Sequence, residues 1–140
     1  MTRKRDEGGV TEVRPESRPT DSRFLGRWRI SEMELWAADF IDLDVPGHFT
    51  FADQQGGSFQ FGMVVGWIDC RYDKERARVE FSWEGADDAD DACGRGWAEI
   101  DGDKLRGRIF IHNADDSGFA ATKQAENPAP KPRVRRRQRP

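Results

Sequence analysis

The sequence predicts an all-β domain, most simply a small antiparallel up-and-down barrel of about eight strands, with a two-sheet β-sandwich as the alternative. Three observations lead there. Apolar side chains recur at every second position in one run after another, which is the period of a strand with one buried face. Turn chemistry separates those runs at short, regular intervals. No apolar stripe of helical period extends far enough to support a helix of any length.

The longest alternating run is residues 56–72, where Phe59, Phe61, Met63, Val65 and Trp67 share one parity. A single strand is expected here. Gly62 and Gly66 lie on its other face and suit a bend or bulge. A bulge at Gly66 would exchange the faces and bury Ile68 and Cys70 in place of Trp67.

Taken in order, the first strand is expected from Phe24 towards Glu34, with Trp28 and Ile30 on one face and Arg27, Arg29 and Ser31 on the other. Residues 34–45 read two ways. Ile41, Leu43 and Val45 alternate with Asp42 and Asp44 as in a strand, whereas Trp36, Ala37 and Ala38 suit a helical turn. Pro46-Gly47 ends the segment. Phe49 and Phe51 mark the next strand, and Asp53 to Gly57 a turn. Val79, Phe81 and Trp83 mark another, opposite Arg78, Glu80 and Ser82. A long loop is expected over 84–94, then a short strand over 96–100. Asp101-Gly102 is a tight hairpin signal. Leu105, Gly107, Ile109 and Ile111 alternate with Arg106, Arg108 and Phe110, and the strand containing Phe119 ends the domain at Lys123.

Composition sets the boundaries. All nine Phe, all five Trp and the single Tyr fall between Phe24 and Phe119, and rings of that size are what a core is built from. The domain is therefore placed at 24–123. Residues 1–23 and 124–140, poor in anything to bury, are expected to be disordered tails. The first tail carries a net +1 and the second +5, which with −3 overall leaves −9 on the domain. An acidic body is unlike a dedicated nucleic-acid domain, whose positive charge lies on its folded surface.

Two cysteines are too few for a disulfide framework. The first 23 residues hold no apolar run for secretion, and nothing approaches a membrane span. A cytoplasmic protein with two free thiols is expected.

The opening Phe24-Leu25-Gly26-Arg27-Trp28 resembles the start of calycin-type barrels, the lipocalin and avidin-like families, which begin their first strand with Gly-x-Trp. That resemblance implies a Trp plugging one barrel end, with a late basic residue packed across it; Arg106, Arg108 and Lys123 are the candidates. It also implies a small apolar or aromatic ligand inside the barrel. Trp28, Phe61, Met63, Trp67, Trp83 and Trp97 would line that site. The alternative is a solid core, the domain then serving as an interaction or structural module.

No catalytic residue, metal site or cofactor site is predicted. Nucleophile elbows, phosphate loops and paired metal-ligand motifs do not occur. Asp87, Asp88, Asp90 and Asp91 lack the spacing of a calcium loop and suit a solvated hairpin tip. His48 and His112 oppose the aliphatic faces of their strands and are expected to be exposed. Cys70 is expected to be a small buried hydrophobe. The C-terminal Arg133, Arg135, Arg136, Arg137 and Arg139 are the candidate contacts for nucleic acid, weak and non-specific, or for an acidic partner protein, including this protein's own acidic body.

Overall fold

The computed structural model describes residues 19–125. Eight antiparallel strands close into a barrel in sequence order. They are β1 (Gly26–Met33), β2 (His48–Phe51), β3 (Gly56–Phe61), β4 (Val64–Asp73), β5 (Arg78–Asp87), β6 (Asp90–Asp101), β7 (Lys104–Ile111) and β8 (Asp116–Lys123). Each strand pairs with the next, and β1 pairs with β8 through partners such as Ile30 and Ala121. A register shift between Ile30 and Glu32 bends that seam.

The expected single strand over 56–72 is two strands. Gly62 takes a φ of +57°, and with Met63 it forms a two-residue turn between β3 and β4. Phe61 and Val64 face each other across it. The inward parity therefore passes from Phe59 and Phe61 to Val64, Gly66, Ile68 and Cys70. The faces exchange as the bulge reading anticipated, but at the hairpin rather than at Gly66. The expected loop over 84–94 is also strand, since β5 and β6 pair down to Asp87 and Asp90 around a turn at Asp88-Ala89. Residues 38–41 form one helical turn, α1 (Ala38–Ile41), not a strand.

Rings occupy the interior. Phe49 sits at its centre, with ring centroids 4.7 Å from Phe119, 5.2 Å from Phe59, 5.9 Å from Phe81 and 6.0 Å from Phe51. The small inward residues of β4 to β6 complement them. A Cβ on Gly66 would lie 2.5 Å from the Phe59 ring and 2.8 Å from Trp83, and one on Gly96 would lie 2.6 Å from Phe81. Large rings face glycines across the barrel, which is how a narrow interior is filled to native density.

Both ends are covered. At one end a 3-10 turn (Ser22–Phe24), capped by Asp21, lays Phe24 against Phe51 and Tyr72. Asp21 is buried and Thr20 accepts a hydrogen bond from buried Gln55, so packing starts a few residues before the expected boundary at Phe24. Trp28 is buried here and donates from Nε1 to the Phe24 carbonyl at 2.8 Å. Lys123 crosses its ring, as the resemblance implied. At the other end Trp36 packs on Phe61 and Phe40, and Ile41 is buried. Asp42 fastens this cover: it pairs with Arg29 at 2.8 Å and accepts from the Gly47 N–H at 2.8 Å. Those contacts hold its carboxyl below the usual range, the Arg29 hydrogen bond foremost.

Candidate functional site

The six residues expected to line an interior site separate into two groups. Trp28, Phe61 and Trp83 are buried inside the barrel. Met63 lies in the β3–β4 turn and is exposed. Trp67 points outwards from β4 and is 64% exposed. Trp97 points outwards from β6, half-buried beneath the Arg78 guanidinium, 4.3 Å from its centroid. The interior assignments of Met63, Trp67 and Trp97 are thus corrected. For Trp67 the cause is the parity change at the Gly62-Met63 turn. For Trp97 it is the Phe81 ring, which leaves no room for a side chain at Gly96 on the inward track of β6 and so sets the neighbouring Trp97 on the outer face.

Trp67 stands instead in a trough on the outer wall of β4 to β7. One groove of about 920 Å3 runs between Trp67 and Phe110, and a second of about 750 Å3 continues past Val65, Ala86 and Asp91. Trp67, Glu84, Cys93 and His112 border both. The register explains this row: Trp67 pairs with Glu84, Glu84 with Cys93, and the His112 N–H donates to the Cys93 carbonyl. The trough is deep because Ser82, Ala86 and Cys93 are small, while Trp67 and Phe110 stand three strand spacings apart, about 14 Å.

Charge divides the trough along its length. Towards Trp97, Arg78 pairs with Glu99 at 2.8 Å and Glu80 at 3.3 Å. Arg95 lies over the Phe110 ring at 4.2 Å. Around Trp67 the sign is negative. Glu84, Asp91 and the β5–β6 tip residues Asp87, Asp88 and Asp90 are exposed and make no ion pair among the described residues. The tip assignment of the four aspartates agrees with the sequence reading. Among the described residues, no three His, Cys, Asp or Glu side chains gather closely enough to hold a metal ion.

The remaining singled-out residues lie elsewhere. Cys70 is buried and Cys93 exposed, and neither forms a disulfide. His112 is exposed, but His48 is half-buried and Nδ1 lies 3.0 Å from the Pro46 carbonyl. Burial lowers the His48 pKa, against the expectation of a solvated ring. The Tyr72 hydroxyl is enclosed beside Phe24, and burial pushes its pKa upwards. Arg133, Arg135, Arg136, Arg137 and Arg139 lie outside the described residues. Among the described residues no helix is long and apolar enough to cross a membrane.

No family model matches this chain, and no curated protein or solved structure is significantly similar to it.

Proposed function

We propose that this protein is a non-catalytic binding module that works from its outer wall, taking a cationic segment into the trough around Trp67. The observation that carries this reading is Trp67 itself. A large ring is left 64% exposed between two grooves, beside the carboxylates of Glu84 and Asp91, which make no ion pair among the described residues. An indole face next to carboxylates is suited to guanidinium or ammonium groups, which gain a cation–π contact and an ion pair together. An apolar ligand inside the barrel would have to displace Phe49 and the rings packed around it.

The scaffold is best read as calycin-type: Gly26 and Trp28 open β1, and Lys123 crosses the Trp28 ring, as in that architecture. The binding role then belongs to the wall rather than to the lumen. Two cysteines outside any disulfide favour a cytoplasmic setting.

Titration with tetra-arginine, followed by the Trp67 indole N–H signal in NMR, tests the reading. Saturable shifts at Trp67, weakened by salt and lost in Glu84→Gln/Asp91→Asn, are expected. Saturable uptake of a fluorescent fatty acid into the core, with Trp67 unaffected, would overturn it in favour of an interior ligand.

A further inference from the structure

Resting on that outer-wall reading, we infer that the segment seated in the trough is this chain's own C-terminus, residues 131–139, docked in cis. Charge complementarity is the first argument. Residues 126–140 carry six Lys/Arg against the single Glu126, and the body they are tethered to carries about nine negative charges in excess. The unpaired carboxylates of that body include the five gathered at the Trp67 end of the trough. Arg133, Arg135, Arg136, Arg137 and Arg139 are the chemistry that an exposed indole beside Glu84 and Asp91 selects.

Reach is the second. The last described residue, Ala125, follows β8 at the Trp28 end of the barrel. Thr122 pairs with Lys104, and Lys104 with Asp101, so two strand steps lead from β8 to β6, about 10 Å. From Asp101 to Cys93 is eight residues along β6, about 26 Å. Two further strand steps, from Cys93 through Glu84 to Trp67, bring the sideways offset to about 19 Å, so the straight path is on the order of 33 Å by those spacings. Twelve residues of extended chain, from Ala125 to Arg137, span at most about 40–43 Å. Arg137 and Arg139 therefore reach Trp67.

Tethering makes modest contacts sufficient. A tether of about ten residues holds its end at about millimolar effective concentration, so a segment that binds at about 0.1 mM when free is docked most of the time. The trough is then self-occupied, and an external cationic segment must compete with the tail.

The experiment compares the full-length protein with a full-length variant in which Arg133, Arg135, Arg136, Arg137 and Arg139 are all Gln. Tetra-arginine is titrated into each, with the Trp67 indole N–H as readout. Docking in cis predicts that the Gln variant binds the probe about tenfold more tightly than the native chain. It also predicts that the two free proteins differ in their Trp67 signal, independently of protein concentration. Equal affinity in both would overturn the tail as occupant while leaving the trough reading intact. Binding to neither would overturn the trough reading itself. A Trp67 difference that grows with protein concentration would assign the segment to a second copy and overturn docking in cis. Glu84→Gln/Asp91→Asn, whose exposed changes leave the core untouched, must abolish the difference if the contact is the one inferred.

Discussion

Lys123 Nζ lies 4.9 Å from the centroid of the Trp28 ring and donates to the Leu25 carbonyl at 2.6 Å. One ammonium thus ties the end of β8 to the start of β1 and covers the indole that closes the barrel. The carbonyl bond and the cation–π contact act on the same group, so Lys123→Met should lower stability by about 1–3 kcal/mol. Urea denaturation measures this, and a loss under about 0.5 kcal/mol would mean that the seam holds without the ammonium. Trp28→Ala removes the ring itself and should cost about 3–5 kcal/mol.

Gly66 is small because two rings occupy the space its side chain would need. Gly66→Ala places a methyl group against Phe59 and Trp83, both buried in the core and unable to swing aside. Overpacking of this kind costs about 1–3 kcal/mol. Thermal unfolding reports it, and an unchanged midpoint would show that the interior has slack.

Trp67 should behave in the opposite way. Its ring contributes little to the core, so Trp67→Ala should change stability by less than about 1 kcal/mol. The same variant should weaken tetra-arginine binding several-fold. A large stability loss would make Trp67 structural and remove the reason for assigning it to binding.

Acid should destabilise the barrel from two directions that share one sign. Asp42 is held low by Arg29 and the Gly47 N–H, and Asp21 by its hydrogen bonds with Arg23. The stability these carboxylates supply is present above their ordinary pKa and is lost as the pH falls through their lowered values. His48 is lowered by burial, so the unfolded chain takes up its proton first. Each group binds a proton more readily when unfolded, and stability therefore falls as the pH drops. Urea midpoints from pH 7 to pH 2 should decline, beginning near the ordinary histidine range and continuing through the carboxylate range. Asp42→Asn should flatten the lower limb, and His48→Gln the upper.

The barrel could be read from the sequence because its strands are short, amphipathic and separated by turns. Trp28, Phe49, Phe51, Val79 and Ile109 each announce their inward face by alternation. The wall was harder to read, for a reason written in Gly66, Gly94 and Gly96. Where an inward position must be small to admit a ring from across the barrel, the outward neighbour becomes the larger residue of the pair. Trp67 and Trp97 then carry the apparent core signal while standing outside. A two-residue turn at Gly62-Met63 hides in the same way, since it lacks the Asn-Gly or Asp-Gly pattern and exchanges the faces without a visible break. Glu84 and Asp91 read as loop from sequence because glycine and aspartate dominate 84–94, yet only Asp88 there takes a positive φ, of 57°.

The seam between β1 and β8 also brings the two ends of the folded chain together, with the Gln124 N–H bonded to the Arg27 carbonyl. A short linker could therefore join them while a new opening is cut at Gly102, where nothing packs within 4 Å of the position a side chain would take. The molecule is laid out as a ring whose starting point is interchangeable. A reporter inserted at that hairpin would sit on the face from which both original extensions depart.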